Sequence, residues 1–104
     1  MISDTNTTPY YAVIFTSIRS PEAGKDYAQM AREMEALVKN QPGYLGHESA
    51  RENLGITVSY WESLEAIAAW KNETRHLLAQ QLGKEKWYQN YKIRICKVER
   101  EYGF

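Results

Sequence analysis

The chain has 104 residues, enough for one domain with a real core but little spare volume for a deep private pocket. Its 13 basic and 13 acidic residues cancel, which excludes the concentrated basic face that nucleic-acid binding requires. No apolar run reaches the roughly 18 residues of a membrane span, and the single cysteine, Cys96, excludes an intramolecular disulfide and fits a reducing cytoplasm.

The first nine residues are polar, carry no signal-peptide pattern and are expected to be flexible, ahead of one domain over residues 10–104. Residues 10–17, YYAVIFTS, are aromatic and β-branched and predict a strand. Pro21 and Gly24 mark the connection that follows. Residues 26–40 predict a helix, because Tyr27, Met30, Ala31, Met34, Leu37 and Val38 form one stripe of a 3.6-residue period. Asn40 and Pro42-Gly43 stop it.

Residues 44–52 predict a polar strand, and residues 56–61 its antiparallel return. The turn between them holds Asn53 and Gly55, which are expected to supply positive φ. Ser63 is the expected N-cap of a second helical region, with Glu65 suiting its first turn. Ile67 and Trp70 share a face there. Asn72-Glu73-Thr74 allows a break, a helix resumes over residues 74–82, and Gly83 is the expected C-terminal stop. Residues 84–88 predict a short turn and residues 91–101 the last strand, with Tyr91, Ile93 and Ile95 on one face and Lys92, Arg94, Cys96 and Val98 on the other.

The order β-α-β-β-α-β predicts an α+β, ferredoxin-like fold: a four-stranded antiparallel sheet with its helices on one face. The other face keeps apolar residues of the first strand, so the chain is expected to form a homodimer in which two sheets close an α+β barrel.

Chemistry concentrates in residues 60–91, which hold all three tryptophans (Trp61, Trp70, Trp87) and His76. Aromatic rings around one imidazole suit an apolar pocket with a single proton-transfer group. The opposing reading makes His76 a helix-face residue bonded to a neighbouring carbonyl or carboxylate such as Glu73, and Trp70 a core residue. On a continuous helix His76 would stand about 240° around from Trp70, so their meeting depends on the break near Asn72. His47 reads as a surface or interface residue. The two histidines lack metal-ligand spacing, and no dedicated metal site is expected. No P-loop or G-x-G-x-x-G stands in the chain.

The QPGYLGHES segment (residues 41–49) and YWESLEAIAAW (residues 60–70), followed by His76, resemble the antibiotic biosynthesis monooxygenase domain family of dimeric α+β barrels. The resemblance implies a monooxygenase that needs no cofactor and acts on a small aromatic ligand of the phenol or quinol type. His76 would then be the catalytic group, with Trp70, Trp61, Tyr60 and Phe15 as the substrate-binding wall. Arg94 would hold an anionic group if it faces the pocket, or pair with Glu48 or Glu52 if it does not. A non-catalytic ligand-binding dimer is one alternative. A heme-binding or heme-degrading protein is another, and that branch carries an Asn in the first strand, a Trp on the second helix and a heme-ligating His about ten residues later. Trp70 matches this pattern, whereas Gln80 stands at the His position and Phe15 near the Asn position.

Overall fold

A computed structural model describes residues 2–5, 7–21 and 24–104, with Thr74 and Arg75 described by backbone only. Positions 22 and 23, in the connection after the first strand, lie outside the described residues. The elements are β1 (Tyr10–Arg19), α1 (Lys25–Val38), β2 (Tyr44–Arg51), β3 (Gly55–Trp61), α2 (Leu64–Lys71), α3 (Thr74–Leu82), a single π-type turn (Gly83–Trp87) and β4 (Tyr88–Val98). The strands form one antiparallel sheet in the order β2-β3-β1-β4, the α+β ferredoxin-like arrangement expected from the order of elements.

Strand alternation divides the side chains between two faces. Tyr11, Val13, Phe15 and Ser17 of β1 sit opposite Trp61, Ser59, Thr57 and Gly55 of β3 and turn towards the helices. Trp61 is fully buried, packed with Val38 and Ile67 and flanked by Tyr11, Val13, Tyr44, Ala66 and Trp70. Its indole N–H donates to the Ser59 hydroxyl at 2.9 Å, so the largest buried ring carries no unpaired donor.

The P-G-Y-L-G stretch has a physical reason. Gly43 has φ +85° and Gly46 φ +149°, regions that side chains disfavour. Between them the register shifts: Tyr44 faces Trp61 and Gly46 faces Tyr60, so Leu45 is the extra residue of a bulge. A Cβ on Gly43 would lie 2.6 Å from the Ala66 Cβ of α2. Gly43→Ala is therefore expected to cost about 1–3 kcal/mol from backbone strain alone. A urea midpoint unchanged from wild type would contradict this account of the turn.

Three local expectations are corrected. Among the described residues none other than glycine has positive φ, and Gly55 does not either, so the β2–β3 turn closes instead by the Glu52 N–H donating to the Leu54 carbonyl at 3.1 Å. Gly83 is right-handed (φ −59°, ψ −46°) and carries the chain into the π-type turn rather than ending it. β4 begins at Tyr88 and ends at Val98, earlier at both ends than the pattern suggested. Asp26 secures the π-type turn against α1: its carboxylate accepts from Lys86 at 2.8 Å and from the Trp87 indole at 3.3 Å. The Lys86 bond leads in holding that carboxyl down at about 2.

The helices leave the second sheet face open. It carries Ile14, Ile18, Ile56 and Val58, of which Ile18 and Ile56 are 38% and 40% exposed. The N-terminal segment crosses one end of this face. Ser3 donates its backbone N–H to Glu48 at 2.8 Å and its hydroxyl to the His47 carbonyl at 3.0 Å. The Thr5 and Tyr10 hydroxyls both donate to Glu101, at 2.7 and 2.6 Å. The terminal segments are thus tied to each other on this face.

Candidate functional site

The site begins with a broken helix. Ser63 caps α2, its hydroxyl accepting the Ala66 N–H at 3.0 Å. The helix ends at Lys71, and Glu73 turns extended (φ −65°, ψ 138°) to cap α3, its carboxylate accepting the His76 N–H at 3.0 Å. That change of direction brings His76 back over Trp70. Their rings stack with centroids 4.3 Å apart and planes 15° apart. The Asn-Glu-Thr break is thus the element that makes the pair.

The imidazole is oriented by its second contact. Its Nδ1 lies 2.9 Å from the Trp70 carbonyl oxygen. A carbonyl only accepts, so Nδ1 carries the proton and Nε2 keeps the lone pair. Burial pushes the His76 pKa below its ordinary value, while the Trp70 carbonyl and Glu73 pull the other way. At neutral pH the ring is a neutral base. The bond to a neighbouring carbonyl is also what the structural reading of His76 expected, so what distinguishes the residue is its position on a cavity.

Behind His76 the aromatics continue inwards. Trp61 stacks on Trp70 at 6.3 Å and 27°, and Tyr44 meets Trp61 edge-on at 5.4 Å. This column closes one end of a cleft of about 660 Å³ between the sheet and the helices, lined by Val13, Phe15, Ile93 and Ile95 of the sheet and Met30 and Met34 of α1. Small-molecule sites commonly span about 300–1,000 Å³ and are mainly apolar with few polar groups. At the other end Phe15 lies 5.3 Å from both Tyr88 and Tyr91. The Tyr88 hydroxyl donates to that of Tyr27 at 3.4 Å. Burial pushes the Tyr88 phenol up. For Tyr27 burial acts in the same sense, but the Tyr88 hydrogen bond and the Arg19 and Arg51 charges outweigh it and lower the net value.

Of the residues singled out from the sequence, the structure gathers His76, Trp70, Trp61 and Phe15 on this cleft. It does not bring Tyr60 or Arg94 to it. Tyr60 follows the opposite pleat from Trp61 and lies on the open face. There it donates to Glu48 at 2.5 Å and packs edge-on against Tyr10. Burial, then the Glu48 contact, pushes its phenol up to about 12. Arg94 pairs in register with Ile14 on that same open face. It does not reach Glu48 either, since β1 and β3 stand between their strands.

His47 is a cleft residue that the sequence reading left at the surface or an interface. It faces Ser59, lines the cleft, and places Nδ1 against the Tyr44 hydroxyl and Nε2 3.9 Å from Glu35. Burial, with Glu35 second, raises the Tyr44 phenol. The available signal was its i, i+2 alternation with Ser49 and Arg51; the Leu45 bulge adds Tyr44 to the same face.

Residues 9–82 match the model of the antibiotic biosynthesis monooxygenase family. The chain belongs to that family. YqjZ, an uncharacterized protein of Bacillus subtilis, is 46% identical over 102 residues, spanning 96% of this chain and 89% of its own. Jasmonate monooxygenase ABM of Pyricularia oryzae is 22% identical over 92 residues, covering 85% of this chain. The chain spans only 43% of that protein's length. Among solved structures, Rv0793 from Mycobacterium tuberculosis superposes with a TM-score of 0.78 at 12% identity, covering 90% of this chain and 99% of its own. PA3566 from Pseudomonas aeruginosa gives 0.72 at 19% identity, covering 94% and 100%. At these identities the structural likeness establishes the fold alone and leaves the reaction to the site.

Proposed function

We propose that this chain is a cytoplasmic homodimer that oxygenates a small phenolic or quinol substrate without a dedicated cofactor. His76 is the proton acceptor, and Trp70, Trp61 and Phe15 wall the substrate. One observation carries the reading: a neutral imidazole whose Nδ1 is committed to the Trp70 carbonyl presents Nε2 as a base beside an apolar, aromatic cleft. The name of the relative from Pyricularia oryzae, a monooxygenase, agrees with the reaction class.

The chemistry needs little else. His76 takes the phenolic proton, and the electron-rich phenolate passes an electron to dioxygen held in the apolar cleft. Bond formation at an unsubstituted ring carbon ortho or para to the oxygen, followed by loss of water, leaves a quinone. One oxygen atom of dioxygen enters the product as a carbonyl and the other leaves as water, so the substrate supplies every electron. The heme alternative has less support, because Gln80 and Phe15 occupy two of the positions that would serve it.

The test is oxygen uptake by the purified, chelator-treated protein with a panel of quinols and polyphenols. Uptake with stoichiometric quinone formation supports the reading. No uptake from folded protein, or uptake that appears only after hemin is added with a Soret shift, overturns it.

The dimer rests on the open sheet face with its Ile14, Ile18, Ile56 and Val58 stripe. Ile14→Asp combined with Ile56→Asp is expected to halve the mass measured by light scattering. A wild-type chain that runs as a monomer would remove this part of the proposal.

A further inference from the structure

Next to the Phe15 end of the cleft lies a second cavity, of about 260 Å³, walled in part by the same Phe15, Tyr27 and Tyr88 rings and opening onto Arg19 and Arg51. Arg51 ends β2 on the helix-facing side, opposite Gly55 of β3. A Cβ built on Gly55 would overlap the Arg51 guanidinium. The bare backbone there lets the side chain lie across β3 and donate from Nη2 to the buried Ser17 hydroxyl on β1. Its other terminal nitrogen, Nη1, is buried without a hydrogen-bond partner among the described residues. Arg19 lies with its Cζ 4.2 Å from the centre of the Tyr27 ring. Among the described residues no carboxylate pairs with either guanidinium, and none lines this cavity.

The unpaired buried Nη1 of Arg51, with the exposed Arg19 guanidinium beside it, makes this small space favourable for an anion. We propose that the Arg51–Arg19 cavity is an oxyanion subsite that holds a carboxylate carried by the ligand whose aromatic part occupies the main cleft. The proposal rests on the reading of that cleft as an aromatic-binding site. A carboxylate suits the geometry because a planar guanidinium presents N–H groups to two oxygens at once. The charge belongs to the aromatic ligand rather than to a free ion because the two cavities share three aromatic walls. Phe15 and Ser17 are two residues apart on β1, so a carboxylate about 7 Å from the ring is within reach. The ligand class is thus an aryl or phenolic alkanoate rather than a neutral quinol.

The test is equilibrium binding, read by tryptophan fluorescence, of 4-hydroxyphenylacetate, 4-hydroxyphenylpropionate and 4-hydroxyphenylbutyrate beside their primary amides, with inorganic phosphate as a free-anion control. At least one acid is expected to bind about tenfold or more tightly than its amide, with an affinity that falls as salt rises. Arg51→Gln is expected to reduce that preference to less than about twofold, because the acid loses a charge-assisted contact where the amide loses only a neutral one. If Arg51→Gln melts early, Arg19→Gln serves as the second variant and is expected to weaken the preference in the same sense. Equal binding of acid and amide by the wild type, a preference that survives both substitutions, or tight phosphate binding without any acid preference would each overturn the subsite. Oxygen uptake without acid preference removes the subsite alone; acid preference without oxygen uptake removes the oxygenase reading and keeps the subsite.

Discussion

His76→Ala is expected to lower kcat/KM for oxygen uptake by about 100- to 10,000-fold, the range of a positioned general base, with the mass in solution and the thermal midpoint little changed. The truncation removes Nε2 and opens a space above the Trp70 face where the ring had stacked at 4.3 Å. Exogenous imidazole should enter that space and restore part of the rate, a response that a merely structural histidine would not produce. His76→Phe, which keeps the stack and removes the base, should be as inactive as the alanine variant and unresponsive to imidazole. Activity within about threefold of wild type in either variant would take the base role from His76.

The pH dependence follows from the direction of the shift. Burial lowers the His76 pKa in the folded protein, so the neutral base persists below the ordinary histidine value of about 6.5. The rate should hold level through neutral pH and fall only in more acid solution, as Nε2 takes up a proton. Stability moves with the same sign. Between the unfolded and the lowered folded pKa the unfolded chain binds more protons, so this contribution is complete above about pH 6.5 and is lost as pH falls towards the folded value. His76→Phe should flatten that part of the stability profile, measured by urea unfolding at a series of pH values. A wild-type activity profile whose acid limb is centred above pH 7 would contradict the burial argument.

Trp61→Ala carries the largest expected loss of stability, about 3–5 kcal/mol. The ring is fully buried at the junction of β3, α1 and α2, where Val38, Ile67, Tyr44 and Trp70 all reach it. Its removal leaves a cavity beneath the aromatic column and strips the Ser59 hydroxyl of its donor. Against a total of about 5–15 kcal/mol for a domain, the variant should sit near its unfolding threshold at 37 °C. Trp61→Phe, which fills most of the space, should lose markedly less. Urea unfolding with an unchanged slope and a loss under about 1 kcal/mol for Trp61→Ala would show that Trp61 does not anchor the core. Because Trp70 rests on Trp61, the alanine variant should also weaken ligand binding even where it stays folded.

Local pattern carried a good deal of this protein. The 3.6-residue stripe of α1, the alternation of Ile93 and Ile95, the Ser63 cap and the Asn72–Glu73 break are all written in residues a few positions apart, and each reappears in the structure. The order of elements then sufficed for the α+β sheet with its helices on one face. Tyr60 was also within reach of the sequence: neighbours on a strand point to opposite faces, so a buried Trp61 already sends Tyr60 to the other side. Arg94, between Ile93 and Ile95, obeys the same rule.

Other features depended on residues distant in sequence. Leu45 shifts the register by one, and that shift places Tyr44 beside His47 and both on the cleft. Arg51 can span β3 only because the glycine opposite it is Gly55, and it finds Ser17 only because β1 lies next in the sheet. Periodicity records what one element does with its own neighbours. Which element faces which, at what register and across which missing side chain, is decided by contacts between residues dozens of positions apart, and for this chain those contacts assemble the cleft and its two arginines.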